Sequence, residues 1–590
     1  MAKIITENFR VQTTNELYRS FTEGNQTIVT AFTADMDSYV DSGAISISNS
    51  DKTTLFNYFP TSLLNIMNNS QPDSTYYIMA SSVTKGDTIE NTQFQKREFQ
   101  RRVIFGNKVT QADIRYMFDI RPWTSGTVYD AYDDTKDIST LDMYVTILDG
   151  TINEGSYKVF KCLGNAEGAS SSTPPSTSDV DAVYEIQSAD GYVWKYMFSV
   201  PPAEYITYAT TASLPFYADS TVAAAAVESV SDIVITTAKN NLFGDSGGAY
   251  NLGTVQVQSV NVADSTNNTY EIELKTLGTD VAPTHEPNAY TNMYIRTTTG
   301  VLLDIISSDS PDNADETTKN FSVFVQTATA PAINSLDSAF IVPKVEVSQS
   351  PGTRALAYGE VNASGTLTDV KIATKGTHYK YATASLILPP ALQDQSEFTT
   401  LRAIMSPRGG HGSDPISELY MSKLSVITNF FSSSLNNTPD SNTYTRVGLV
   451  KNPGFADGSS PTSLDNRMEV RVSGDVTAAA NANKIIVQTV GSETFSARIH
   501  ESKYTSGSPG YTSLFLVDYV GSHNSTFTTG SVEIKQTVNS TDVLGTYSIN
   551  NVVNTGKYVD YSGDLLHFVD FDAIAREPER REKIKFVFDF

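Results

Sequence analysis

Apolar and polar positions follow two rhythms along this chain, and the change between them predicts its architecture. Over the first 120 residues the spacing is near-helical. Leu17 and Phe21 stand four apart behind Thr13, Thr14 and Asn15, which predicts a helix capped by those residues. Phe56, Phe59, Leu63, Ile66 and Met67 recur at a similar spacing, with Pro60 limiting how far one helix can run. Thr110-Gln-Ala-Asp113 reads as the opening of another helix, because a Thr followed three residues later by an acid satisfies free N–H groups of a first turn. Ile114, Met117 and Phe118 would share one face of it, and it would stop before Pro122.

From Leu141 the period becomes two. Met143, Val145 and Ile147 alternate with polar neighbours, Asp149-Gly150 turns the chain, and residues 157–163 resume as a strand. Residues 169–179, rich in Ser, Thr and Pro, read as a loop. Short β runs follow at 232–237, 253–260, 270–274, 321–325 and 340–343, and residues 365–374 alternate into a Lys375-Gly376 turn. A second β-rich block, about 456–555, carries runs at 468–472, 484–490, 513–520 and 531–535. Closely spaced strands with almost no helix between them predict a mainly β protein: a multilayer β-sandwich core, short helices on loops, and additional inserted β domains.

Composition agrees. The 590 residues exceed what one hydrophobic core holds. The 31 Tyr and 28 Phe suit cross-strand packing, and Ser, Thr and Asn are plentiful. With 42 Lys plus Arg against 66 Asp plus Glu, the formal charge of −24 repels phosphate backbones and anionic bilayers, so nucleic acid is not an expected partner. The longest small-apolar run, 222–227, is too short to span a bilayer, and no membrane insertion is expected. Cys162 is the only cysteine, which points to assembly in a reducing cytoplasm. The opening residues lack a long apolar core and carry Glu7 early, so no signal peptide is expected.

Motifs with catalytic precedent fall short of chemistry. Gly244-Asp-Ser-Gly-Gly248 copies a serine-protease nucleophile motif, but the first histidine, His285, comes after it. The α/β-hydrolase order needs a strand–elbow–helix context that Ala249-Tyr-Asn-Leu-Gly253 does not supply, so a hairpin turn is expected. His285, His378, His411, His500, His523 and His567 show no metal-binding spacing. Asp130, Asp133, Asp134 and Asp137 could offer oxygens to calcium, yet they lack the glycine and terminal glutamate of an EF-hand loop and read as a solvated loop. Gly409-Gly-His-Gly412 reads as a turn, and paired carboxylates for glycoside hydrolysis have no positive signal. The expectation is a protein that is not an enzyme, with no catalytic, cofactor-binding or metal-binding residues.

Residues 189–202 carry more information. Asp190-Gly191 starts a turn; Tyr192, Trp194, Tyr196 and Phe198 then alternate with Val193, Lys195, Met197 and Ser199; Pro201-Pro202 closes the strand. On their own these residues predict a core strand with four aromatics on one face. The stretch also resembles the signature of the baseplate wedge subunit of T-even-like contractile-tailed bacteriophages, the wedge protein that forms dimers. Ile120-Arg-Pro-Trp123 and the short helix predicted before it, the strand Tyr157-Lys-Val-Phe-Lys-Cys-Leu163, Leu424-Ser-Val-Ile-Thr-Asn429, and the ending from Ser562-Gly-Asp-Leu-Leu-His-Phe568 to Phe586-Val-Phe-Asp-Phe590 are similar to that family in the same order. The likeness covers parts of 1–205, about 395–450, and 556–590.

The resemblance implies a three-layer β-sandwich core and a homodimer that packs with other wedge proteins, and with tail-fibre attachment proteins, in a virion baseplate built in the host cytoplasm. Its role would be structural: baseplate assembly, and transmission of the host-binding change that triggers sheath contraction. No cofactor transfers. The expected organisation is wedge core over 1–215, 391–455 and 556–590, with an inserted β-rich region at 216–390 and a sandwich-like domain at 456–555. Trp123, Tyr192, Trp194, Tyr196, Phe198, Phe586, Phe588 and Phe590 are the expected structural or interface anchors. A receptor-binding tail protein, recognising a host glycan through one of the insertions, is the rival from another class.

Overall fold

A computed structural model describes residues 7–22, 75–81, 92–176, 185–216, 227–243, 250–277, 283–284, 286–309, 320–396, 399–431, 444, 446–520, 527–537, 541–554, 558–570 and 581–590. The helix expected around Phe56–Met67, the Gly244–Gly248 motif, His285 and His523 lie outside the described residues. Strands dominate, as the period-two pattern predicts, and helices are few and short. The chain forms two compact units, one of residues 1–117 with 422–590 and one of residues 118–421.

In the unit of 118–421, the strands Tyr144–Asp149, Ser156–Asn165, Tyr192–Val200 and Glu185–Gln187 make an antiparallel sheet in that order. Its register sets Cys162 opposite Trp194 and Val159 opposite Phe198. A larger sheet runs Thr254–Asp264, Thr269–Thr276, Asn320–Gln326, Leu302–Asp309, Met293–Thr297, Ser338–Val347, Leu356–Val361, Leu367–Thr374. Because Thr254–Gln256 also pairs with Ser338–Phe340, six of these strands return on themselves. Inward-pointing Val255, Val257, Ile272, Leu274, Ile295, Val323 and Val325 fill the interior. Strand Val230–Thr237 pairs with Thr400–Met405, so the expected boundary at 390/391 separates two bonded partners.

In the other unit, Ser463–Asp465, Val103–Lys108, Tyr76–Ser81, Arg446–Lys451 and Asp564–Asp570 form a five-stranded sheet. Strand Lys423–Phe431 pairs along its whole length with Arg581–Asp589, Leu424 opposite Phe588 and Val426 opposite Phe586. The block expected to be sandwich-like is instead a closed six-stranded barrel. Its order is Met468–Ser473, Tyr511–Val520, Glu493–Thr505, Ile485–Val490, Gly530–Lys535, Val543–Asn554 and back to the first. Closure leaves no unpaired edge, which two separate sheets would have exposed.

Two helix expectations are corrected. The first helix runs Glu7–Thr22, so Thr13, Thr14 and Asn15 lie inside it rather than capping it. Thr14 Oγ1 donates back to the Arg10 carbonyl, which satisfies a mid-helix hydroxyl. At Thr110 the capping chemistry is present, with Asp113 Oδ2 accepting from the Thr110 N–H and hydroxyl. It caps only a single 3₁₀ turn, Gln111–Asp113, and Ile114–Asp119 continues as a strand. Pairing of Ile114–Met117 with Lys423–Val426 outweighs the local helical signal.

Candidate functional site

Two sites in the unit of 118–421 bring chemistry-bearing side chains together. The first is the aromatic strand Tyr192–Val200. Tyr192 and Trp194 stack with centroids 5.6 Å apart and 15° between planes, and Tyr129 meets Trp194 edge-on at 5.5 Å. Val145, Phe160, Cys162 and Tyr196 complete this buried cluster, while Phe198 turns to Phe118 and Phe216. Tyr192, Trp194 and Tyr196 share the face of Phe160 and Cys162. A bulge between Tyr196 and Phe198 sets Phe198 opposite Val159 on the other face, so the four aromatics do not share one face as expected. All four are buried, and so are Lys195 and Met197. The strand is therefore covered on both sides, not on the single face its alternation suggested. The Trp194 indole N–H is buried with no acceptor among the described residues.

Asp190 fixes the start of that strand. Gly191, at φ 87°, takes the left-handed conformation the turn needs. Asp190 accepts from Ser171 Oγ, Ser172 N and Thr173 N on one oxygen, and from Ser188 Oγ and Tyr192 N on the other. Partial burial disfavours the charge, but these hydrogen bonds outweigh it and hold the carboxyl well below the ordinary range. Trp123 is half-buried and donates its indole N–H to Ser171, which ties it to the same loop. Phe586 is buried on the terminal strand of the other unit; Phe588 and Phe590 are half-buried.

The second site was not foreseen. Lys161, on strand Ser156–Asn165, is fully buried and donates to Glu418 Oε2 at 2.8 Å. Its Nζ also lies 3.2 Å from His411 Nδ1 and 4.0 Å from the centroid of the Tyr132 ring. His411 Nε2 stands 2.6 Å from Ser231 Oγ, and the ring meets Tyr132 edge-on. Glu418 Oε1 accepts the N–H groups of Gly412 (2.8 Å) and Asp414 (3.2 Å). Gly409, Gly410 and Gly412 have φ of 82°, 86° and 91°, a run that carries His411 inward and aims the Gly412 N–H at the carboxylate. The turn expected at 409–412 is present; the buried role of its histidine was not anticipated. The one signal in the sequence was Lys161 itself, a charge sharing a strand face with Val159 and Leu163.

The electrostatics follow from dryness and crowding. Burial, then the Lys161 charge, lowers the His411 imidazole to about 4. Burial pushes the Glu418 carboxyl up, but His411 and Lys161 overcome it and bring it to about 2. Burial pulls Lys161 down while Glu418 opposes. Hydroxyl, imidazole and carboxylate stand in the order of a hydrolytic triad, but Lys161 intervenes. An ammonium only donates, so His411 Nδ1 accepts and Nε2 carries the proton, donating to Ser231. A ring in that tautomer takes no proton from the serine, which orients the group against serine attack.

The acidic loop expected to be solvated is engaged instead. Asp133 is buried and binds Arg402 through both oxygens; Asp134 reaches Arg402 and the Met405 N–H; Asp137 caps the turn at Ser139. Among the described residues no group of three or more His, Cys, Asp or Glu has metal-holding geometry, and no helix is long and apolar enough to cross a membrane. No protein-family model matches the chain, and no curated protein matches it.

Proposed function

We propose that this chain is a structural subunit of a contractile-tail baseplate wedge, needed for baseplate assembly and for passing on the conformational change that triggers sheath contraction. The observation that supports the reading is how the resembling segments pair. Residues 157–163 lie on the strand bonded to the aromatic strand, and 424–429 lie on the strand bonded to the C-terminal one. Resembling segments thus form neighbouring strands, and in the second pair they come from about 150 residues apart in the chain. Buried aromatic strands give stiff bodies, which suits a part that moves as a unit under load.

On this reading the chain works as a homodimer among other wedge proteins and tail-fibre attachment proteins, in a virion assembled in the host cytoplasm. The deciding experiment is a reconstruction of tails carrying a tag at an exposed loop such as 264–268. Density at the wedge supports the proposal. Density only at a fibre tip, with glycan binding that maps to 216–390 or 456–555, replaces it with receptor recognition.

A further inference from the structure

Glu418 and Lys161 are arranged for more than an ion pair. The amine is 2.8 Å from one carboxylate oxygen, in a site where both side chains are almost wholly shielded from water. The other oxygen already receives two backbone N–H groups, the donors that would stabilise negative charge in a tetrahedral adduct. His411 Nδ1 lies 3.2 Å from the amine, within hydrogen-bond reach, and 3.8 Å from the oxygen that would leave, a gap that must close for the ring to pass a proton on. Its other nitrogen is held by Ser231.

We propose that Lys161 and Glu418 join in an intramolecular amide bond, formed by the protein itself with His411 as the proton carrier. The step balances without a co-reactant. One ammonium proton passes through His411 to Glu418 Oε2, leaving a neutral amine beside a neutral acid. Nζ attacks Cδ, the N–C bond forms, and negative charge collects on Oε1 between the Gly412 and Asp414 N–H groups. A second proton leaves Nζ for Oε2, the C–Oε2 bond breaks, and water departs with both protons. The amide keeps one N–H. Water normally favours the separated ions, but a dry site penalises a charge pair and spares a neutral amide. Burial lowers Lys161, towards a neutral nucleophile, whereas the Glu418 carboxyl, held at about 2, gives up its charge only as the proton arrives. The bond would strap the turn at 409–418 to strand Ser156–Asn165, a covalent tie in a chain whose lone cysteine allows no internal disulfide.

Mass spectrometry of the purified full-length chain tests this. The expected intact mass is one water below the sequence mass. Trypsin should fail to cut after Lys161 and release peptides 159–195 and 409–423 joined as one species. Lys161→Arg and Glu418→Ala should each restore the full mass, and folding of every variant is checked by circular dichroism. Should Glu418→Ala fail to fold, Lys161→Arg carries the comparison. His411→Phe should leave freshly purified protein unlinked. A folded wild-type chain that keeps the full mass after days at neutral pH, with normal cleavage after Lys161, overturns the proposal. So does a water-loss product joined at other residues. Linkage in His411→Phe as complete as in wild type overturns the histidine's role.

Discussion

At the scale of single residues, the decisive positions are those where burial and polarity conflict. Trp194 packs between Tyr129 and Tyr192 with an unpartnered indole N–H. Trp194→Ala should cost about 3–5 kcal/mol by denaturant unfolding, whereas Trp194→Phe should cost much less, because it keeps a ring and removes the unmet donor. His411 sets a pH dependence. Its folded value, about 4, lies below the ordinary 6.5, so between these values the unfolded chain binds the extra proton and folding weakens as pH falls. The groups around it are Lys161, Glu418, Ser231 and Tyr132, with Lys375 acting at longer range. In the chain without the Lys161–Glu418 bond, Glu418 adds a loss further down, from the ordinary 4.5 towards 2; the linked chain has no such carboxyl and lacks that loss. Thermal melts from pH 7 to 4 should therefore show falling stability, about 3 kcal/mol at most from His411, and His411→Gln should flatten the fall. Buried His500, lowered to about 3 mainly by burial, gives the barrel the same sense of dependence.

At the scale of elements, local signals named strands well and helices poorly. Alternation at 143–147, 157–163 and 192–199 places strands where the structure has them. The cap at Thr110 is chemically real yet stops after one turn, because a cap fixes only a helix's first residues, whereas strand pairing satisfies each residue that follows. The C-terminal strand offers a direct test of period two. Phe586 is buried and Val587 is 42% exposed on the opposite face. Phe586→Ala should destabilise by about 3 kcal/mol, and Val587→Ala by no more than about 0.5 kcal/mol, in the same denaturation assay.

At the scale of the whole molecule, each of the two units has its own core and its own closed ring of strands. Residues 118–421 form one of them as a continuous stretch. Expressed alone, that stretch should give a single cooperative melt with β-type circular dichroism; a fragment that stays unfolded would refute its independence. The other unit is built from 1–117 and 422–590, which no single fragment reproduces.

The amino-acid pattern alone determined the fold class and the aromatic strand with its Asp190-Gly191 turn. These depend on neighbours two to four residues away, and side-chain periodicity reports such neighbours directly. Tertiary structure decided that Ile114–Asp119 is a strand, that the 468–554 block closes as a barrel, and that 230–237 pairs with 400–405. It also decided that Lys161, Ser231, His411 and Glu418 meet. Lys161 and His411 stand 250 residues apart. Nothing in the spacing of either segment encodes that approach, which is fixed by the strands and glycine turn that carry these side chains into one dry interior.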